Sequence, residues 1–344
     1  MAERVRLPQI SSRAFEHPAD RAALTALRKV PGFDTALKKL IGLIGEKSLH
    51  VIYLASAVRV NEKQFPDLYR VYRECLDVLD FEEQPELFIS QTPFVNAGAI
   101  GTDKPFIVLN SGALEVLEEP ELRFILGHEL GHIMADHVLY KTMLKLLLRM
   151  TVLRFGVPWG WLVLTAIIAA LIEWDRKSEL TSDRAGMLCL QSPDDAYGVF
   201  MKLAGGRRVE QMSLDEFIAQ AEEYESGGDK LDSFYKFLNL LGRSHPFPVL
   251  RVAELRRWVE AGDYDAILEG EYARRTGDEK ASVYKEFAAS ARSYRESYRE
   301  SADPLVQFFR DFGKDAKTGS KKLVGHIREW FAHPDEEDGR DDGA

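Results

Sequence analysis

The chain has 344 residues, of which 45% are apolar, and its formal net charge is −10. This length allows one large domain or two smaller ones, and the apolar content is ample for a real core. The acidic balance argues against a nucleic-acid-binding protein, because such proteins carry a clustered basic surface. The two cysteines, Cys75 and Cys189, lack the spacing of a metal site, so we expect buried, reduced thiols.

In chain order, helical patterns come first. Apolar residues recur at helical spacing over 19–45 and predict two helices separated at Pro31-Gly32. The first twenty residues contain no apolar run like that of a signal peptide, so we expect a cytoplasmic protein that is not secreted. The stretch "HVIYLASAVRV" fits either a strand or a helix, whereas 66–79 predicts a helix with proline in its first turn.

The next region is rich in β-forming residues. The segments "ELFIS", "PFVNA" and "PFIVLN" are short and separated by turn residues, and they predict a small sheet. Helical spacing returns after Ser111, with one strong helix from Glu118 to His137. Further helices are predicted at 176–190, 193–204, 213–224, 230–241, 248–261 and within the charged region 279–330.

The stretch "GHELGHIMADH" (127–137) contains a His-Glu-x-x-His pattern. Each helical residue turns by about 100°, so His128 and His132 lie roughly 40° apart on one face and can reach one ion. Glu129 lies beside that face, where it can accept a proton from a water bound to the ion. His137 lies about 180° from His128, so we expect it to point away and exclude it as a ligand. The alternative is a pair of core histidines, which the mid-helix position after the apolar "FILG" disfavours.

A third ligand is needed, since zinc in catalytic sites takes three protein ligands and leaves one position open for water. Glu179 and Asp183 are four residues apart on a predicted helix and share one face. One carboxylate can bind zinc while the other hydrogen-bonds a ligand histidine. Taken alone, the pair also fits a solvated acidic face with Arg176 and Arg184 as partners. Together with the first helix, the pair favours a metal site.

The segments "FVNAGAIGTDKPFIVLNSGALEVL", "FILGHELGHIMADH", "SELTSDRAG" and "SHPFPVLR" occur in this order. They resemble the HtpX-like and CAAX-prenyl-protease (type 1) family of zinc metallopeptidases, which is gluzincin-like, over about residues 60–262. The resemblance implies one zinc ion per chain, held by His128, His132 and Glu179. It implies that Glu129 is the general base and that Asp183 supports the ligands.

Two further residues take roles from the same resemblance. His245 belongs to a His-Pro element that is expected to stabilise the oxyanion, and Arg251 on the following helix is expected to steady that region. Three His-Pro pairs occur in the chain, and only His245-Pro246 falls between core helices. The other pairs, His17-Pro18 and His333-Pro334, lie in terminal segments.

The segment "FVNA" has a physical use as well. An edge strand can pair with an extended peptide and hold the scissile carbonyl near zinc. Asn96 and Ala97 would then line the substrate cleft. The alternative is an ordinary strand that ends in a turn.

An apolar insertion, residues 139–174, separates the two metal-binding helices. Lys141, Lys145 and Arg149 recur every four residues and form a basic stripe that suits an anionic membrane surface. The uncharged stretch Val157–Ile172 reaches about 24 Å, short of a bilayer core of roughly 30 Å. A monotopic or hairpin anchor, a short true span and a buried hairpin covering the cleft all remain open, and the pattern favours membrane association.

The sequence therefore predicts an α+β, mostly helical fold, with a zincin-like metallopeptidase core, a small β-sheet and an apolar helical-hairpin insertion. We expect an N-terminal helical segment, the metallopeptidase domain, charged C-terminal helices and a disordered acidic tail, at 1–59, 60–262, 263–332 and 333–344.

The leading functional hypothesis is a zinc-dependent endopeptidase that hydrolyses protein or peptide substrates through a metal-activated water. The resemblance adds a role in protein quality control at the membrane. One alternative is a non-catalytic, membrane-associated binding or chaperone-like module with a structural zinc, which an intact Glu129 disfavours. A zinc hydrolase of non-peptide bonds is a third class, disfavoured by the peptide-pairing strand.

Overall fold

The computed structural model describes residues 4–28, 33, 46–101, 104–152, 161–226 and 247–278. Within these ranges the chain forms a mostly helical α+β fold with one small sheet, as predicted. The α-helices in chain order, α1 to α12, are Pro18–Arg28, Glu46–Ser56, Pro66–Val78, Ser111–Val116, Glu119–Met134, His137–Val152, Trp161–Leu190, Pro193–Gly205, Leu214–Ser226, Pro248–Glu260, Asp263–Leu268 and Arg275–Asp278. The strands β1 to β4 are Val58–Arg59, Leu87–Ser90, Ala97–Ile100 and Phe106–Asn110.

The sheet has the strand order β1-β2-β4-β3. Strands β2 and β4 are parallel, and the two outer pairings are antiparallel. Strand β3 therefore forms one edge. Its sequence Ala-Gly-Ala-Ile alternates between buried and half-buried side chains, as expected for a strand with one face on a core.

The predicted strand "PFVNA" is displaced in the structure, because only its last residue, Ala97, belongs to β3. The preceding residues form a bend that is tied to the start of α4. The Asn110 side-chain amide donates to the Phe94 carbonyl, and the Gly112 N–H donates to the Thr92 carbonyl at 2.9 Å. These bonds hold the bend against the start of α4, outside strand β3.

Two apolar clusters account for most of the buried interior of the described residues. The larger one joins the inner face of the sheet to α3, α5, α8, α10 and the second half of α7. Both cysteines lie inside it as free thiols, as predicted. The smaller cluster joins α1 to the predicted insertion, through Leu27, Leu144, Leu147, Leu171 and Trp174.

The described residues of the insertion belong to two packed helices, α6 and the first half of α7. Helix α7 runs without interruption for 30 residues and continues through Glu179 and Asp183. No helix in the described ranges combines the length and the apolarity needed to cross a bilayer. The predicted helix at 230–241 and the region after 278 lie outside the described residues, and the predicted domain limits stay predictions.

Candidate metal centre

The His-Glu-x-x-His helix, α5, begins at a capping box. The Glu118 side chain accepts from the backbone of Glu121, and the Glu121 carboxylate accepts from the Glu118 N–H at 2.8 Å. Pro120 lies in the first turn, where the missing N–H has no helical partner to lose. The sequence therefore specifies where this helix starts, and the start fixes which face carries the histidines.

Helices α5 and α7 pack closely because glycines line their contact. A Cβ added to Gly131 would lie 2.5 Å from the Ala185 Cβ, and one added to Gly127 would lie 2.6 Å from the Cys189 Cβ. In the opposite direction, a Cβ on Gly186 would lie 2.7 Å from the Phe124 carbonyl oxygen. Real side chains do not approach this closely, so the distance between the helices depends on the absence of these methyl groups.

That short distance brings His128, His132 and Glu179 together. One ligand atom from each residue lies within 4.8 Å of the others, and all three residues are buried. Glu179 Oε1 lies 3.2 Å from His132 Nε2, and Glu179 Oε2 lies 3.6 Å from His128 Nε2. The two imidazole rings stand nearly perpendicular, with centroids 4.7 Å apart. Two nitrogens and a carboxylate oxygen form the donor set that zinc takes in catalytic sites.

The surroundings of His132 fit a metal ligand. Its Nε2 is buried and makes no hydrogen bond within the described ranges, which is costly for a polar atom unless an ion binds there. Burial is the largest influence on this ring and, together with the nearby Lys141 ammonium, lowers the pKa of His132 well below its usual value. The ring is therefore neutral, the form that binds a metal ion.

Asp183 and Arg251 support the other histidine. Asp183 Oδ1 lies 3.0 Å from His128 Nδ1 and accepts a hydrogen bond from it, which leaves His128 Nε2 turned toward Glu179. Arg251 donates from Nε to Asp183 Oδ2 at 2.8 Å, and its Nη1 lies 3.3 Å from Glu179 Oε2. Burial alone would raise the pKa of Asp183, but Arg251 and the bond from His128 lower it below its usual value.

Lys141 contradicts the predicted basic stripe on the insertion. Its side chain is buried, and its Nζ donates to Asp175 Oδ1 at 2.8 Å and to Glu179 Oε1 at 2.6 Å. Burial would lower the pKa of Lys141, but the two carboxylates raise it above its usual value. The lysine thus faces the acidic side of α7 and not the solvent. Lys145 is exposed beside Gly98 of the edge strand, and nothing is described of the Arg149 side chain.

Glu129 lies on α5 between the two histidines and reaches the sheet. Its Oε2 accepts a hydrogen bond from the Ala99 N–H at 2.7 Å. Asn96 bonds through its carbonyl to Asn110 of β4, and strand residues alternate in direction, so Ala97 and Ala99 direct their backbone groups away from β4. The outer edge of β3 therefore faces Glu129. Asn96 and Ala97 lie at the beginning of this edge.

The prediction that one helix extends to His137, with this residue pointing away, is wrong. Helix α5 ends at Met134, and Asp136 adopts a left-handed conformation with φ of 56°. This reversal turns His137 back, so that its Nδ1 lies 3.0 Å from His132 Nδ1. Its Nε2 lies 2.9 Å from Asp20 Oδ2, on the N-terminal helix α1.

Asp20 and Lys141 were not among the predicted site residues. Asp20 is buried and also accepts from the Thr181 hydroxyl at 2.6 Å. Burial would raise its pKa, but His137 and Thr181 lower the pKa of Asp20 below its usual value. Asp20 lies far from the other site residues in the sequence, so no local sequence pattern indicates its role. His245, the predicted oxyanion residue, lies outside the described residues.

Comparisons with known proteins agree with this geometry. Residues 62–259 match the model of peptidase family M48. The chain is 34% identical to the chloroplastic plastoglobule-localized metallopeptidase 48 of Arabidopsis thaliana over 260 residues, which cover 74% of each protein. It is 32% identical to a protease HtpX homologue of Kineococcus radiotolerans over 29% of this chain and 35% of the relative. It is 38% identical to the HtpX homologue of an Arthrobacter species over 22% and 27%.

No solved structure matches the chain. The family match covers more than half of the chain, and it contains all three candidate metal ligands on α5 and α7. The chain therefore belongs to peptidase family M48 and is an HtpX-like metallopeptidase that acts on protein or peptide substrates.

Proposed function

We propose that the protein is a zinc-dependent endopeptidase with one zinc ion per chain. One observation carries the proposal: His128, His132 and Glu179 converge in the interior, with Glu129 beside them on the same helix as the histidines. Nitrogen and oxygen donors in this number suit zinc and leave a coordination position open. A purely structural site would not need a carboxylate such as Glu129 next to its ligands.

When bound, zinc would polarise the scissile carbonyl and acidify the attacking water. Glu129 accepts the proton of that water at Oε1, because its Oε2 is held by the Ala99 N–H. It then delivers the proton to the leaving amine. Asp183 holds the His128 ring through Nδ1, and Arg251 fixes Asp183 in turn.

The position of β3 at the edge of the sheet supports the choice of a peptide substrate. An extended peptide that lies along this edge would meet the outward-directed carbonyl of Ala99, because the Ala99 N–H is already bonded to Glu129. This position places the peptide next to Glu129, which Ala99 already contacts. Asn96, just before β3, and Ala97, its first residue, would line the substrate cleft. His245 completes the proposal as the residue that stabilises the oxyanion.

The test combines metal content with cleavage of casein by purified wild type, Glu129→Gln and Glu179→Ala. We expect one zinc per chain in wild type and Glu129→Gln, loss of zinc in Glu179→Ala, and cleavage by wild type alone. Glu115→Gln is the matched control, because Glu115 is an exposed glutamate on α4, the helix that precedes α5. Cleavage by Glu129→Gln would refute the proposed mechanism.

The main alternative is a non-catalytic binding or chaperone-like module that holds a structural zinc. The same experiment separates the two functions. A module of this kind would bind zinc in wild type and cleave nothing, including short unfolded peptides. The HtpX-like metallopeptidase family of this chain favours the enzyme.

We further propose that the protein works in quality control at a membrane surface, through the apolar insertion 139–174. The resemblance to HtpX proteases and the apolar composition of this segment support the proposal. Vesicles containing anionic lipid should carry the purified protein upward in a density gradient. Protein that stays at the bottom with every vesicle composition would refute the location and leave the peptidase proposal intact.

A further inference from the structure

Three buried side chains form a continuous line from the N-terminal helix to the metal centre. Asp20 Oδ2 lies 2.9 Å from His137 Nε2, and His137 Nδ1 lies 3.0 Å from His132 Nδ1. The three residues are at most 2% exposed. Each comes from a different helix, α1, α6 and α5, so the line exists only in the folded protein.

Packing holds the middle residue of this line in place. The His137 ring meets the His132 ring at a centroid distance of 5.2 Å and the fully buried Trp174 ring at 5.5 Å. The left-handed conformation of Asp136 directs the chain into this position. Asp20 is fixed as well, because the Thr181 hydroxyl donates to the oxygen that His137 contacts.

The hydrogen positions along the line follow from its two ends. The Asp20 carboxylate only accepts hydrogen bonds, so His137 must carry its proton on Nε2. Its Nδ1, on the other side of the ring, can then accept a hydrogen bond from His132 Nδ1, 3.0 Å away. This arrangement favours the His132 tautomer that carries its proton on Nδ1 and turns its Nε2 lone pair toward Glu179.

We propose that Asp20 and His137 are positioning residues for the metal centre, which hold His132 in the tautomer and orientation that bind the ion. This inference rests on the proposed function, since it concerns the proposed zinc site. It makes helix α1 a part of that site. The two ligand histidines are thus supported differently: Asp183 bonds His128 directly, whereas Asp20 reaches His132 through a second histidine.

The experiment measures the zinc dissociation constant by competition with a chelator, at a temperature well below unfolding. The variants are His137→Phe, Asp20→Ala and the double variant. Outer partners of metal ligands contribute about 10–100-fold in metal affinity, and we expect a loss of this size in each single variant. His50→Phe is the matched control, because His50 also pairs with a carboxylate, Glu86, but lies on α2 away from the centre. The zinc affinity of the His50→Phe variant should equal that of wild type.

The double variant distinguishes a positioning role from a general loss of stability. If Asp20 acts through His137, removing both side chains should weaken zinc binding no more than His137→Phe alone. The visible spectrum of the cobalt-substituted protein should change in both single variants and stay unchanged in His50→Phe. His137→Gln, which keeps an acceptor for the His132 N–H, should recover most of the affinity. If Asp20→Ala does not fold, the isosteric Asp20→Asn replaces it and should still weaken binding severalfold.

Wild-type affinity and an unchanged cobalt spectrum in His137→Phe would overturn the inference, as would additive losses in the double variant. Failure of the peptidase proposal looks different, since zinc would then bind to wild type without any cleavage of casein. The affinity comparison decides the role of Asp20 and His137 in that case too. A wild type that binds no zinc would overturn both.

Discussion

Glu129 Oε2 and the Ala99 backbone N–H are joined by a 2.7 Å hydrogen bond between the metal-binding helix and the edge strand. Both residues are buried. The bond connects the proposed base to the strand on which a peptide is proposed to lie. A hydrogen bond to a charged group contributes roughly 1.5–3 kcal/mol, enough to keep the carboxylate in one position.

Replacement of Ala99 by proline removes this N–H without affecting a bond to β4, because Ala99 points away from that strand. We expect kcat/KM for a peptide substrate to fall by about 10–100-fold, since Glu129 loses its anchor. Zinc content should stay at the wild-type value, and far-UV circular dichroism checks the fold. Wild-type kcat/KM in a folded Ala99→Pro protein would contradict the anchoring role.

Gly131→Ala should push α5 and α7 apart. The new methyl group would lie 2.5 Å from the Ala185 Cβ, so the helices must shift. Overpacking of this kind costs about 1–3 kcal/mol, measured by urea unfolding, and we expect weaker zinc binding because the ligands lie on both helices.

Gly198→Ala on α8 is the matched control, since the added Cβ would have no atom within 4 Å apart from the backbone of its own helix and its chain neighbours. In a helix interior this change should stabilise the protein by roughly 0.5–1 kcal/mol and leave zinc affinity unchanged. Equal effects of the two substitutions on zinc affinity would show that the helix contact does not set the ligand geometry.

Lys141→Met should destabilise the metal-free protein by roughly 3–5 kcal/mol, because it leaves the Asp175 and Glu179 carboxylates without their shared cation. Zinc supplies positive charge at the same place, so it should raise the melting temperature of the variant more than that of wild type. Differential scanning calorimetry with and without zinc measures both quantities. Lys202→Met breaks a largely covered pair with Glu121 in the first turn of α5, and this variant should respond to zinc as wild type does. A smaller zinc response in Lys141→Met would contradict this account.

His17→Phe should flatten the pH dependence of stability as the pH falls through the usual histidine pKa near 6.5. Burial lowers the pKa of His17 below its usual value near 6.5, and Glu254 opposes this only in part. The unfolded chain therefore takes up a proton at a higher pH than the folded chain, and stability falls as the pH drops through this range. Urea unfolding of metal-free protein at several pH values gives the two slopes. Parallel slopes for wild type and variant would contradict the lowered pKa.

Much of the geometry of the candidate metal centre could be predicted because it depends on local spacing. His128 and His132 are one helical turn apart, as are Glu179 and Asp183, and the structure keeps both pairs on unbroken helices. His137 was misplaced because the helical pattern was extended across Asp136. Aspartate is among the few residues that enter the left-handed conformation readily, which was the available signal.

Lys141 and Asp20 show what spacing cannot supply. The four-residue repeat of basic residues on α6 looked like a surface, but the repeat Asp175, Glu179 and Asp183 on α7 offers a matching acidic face. Pairing the two repeats required knowledge that the helices pack together. Asp20 lies 112 residues before His132 in the sequence, and only the packing of α1 on α7 brings it near.

Helix α7 carries Glu179 on the same uninterrupted rod as the apolar insertion. Glu179 lies eighteen positions after Trp161, which corresponds to a rise of about 27 Å along the helix at 1.5 Å per residue. No break in this stretch absorbs a displacement, so a force applied at the Trp161 end moves a proposed metal ligand directly. One continuous helix thus couples the position of the insertion to the position of the proposed ligand Glu179.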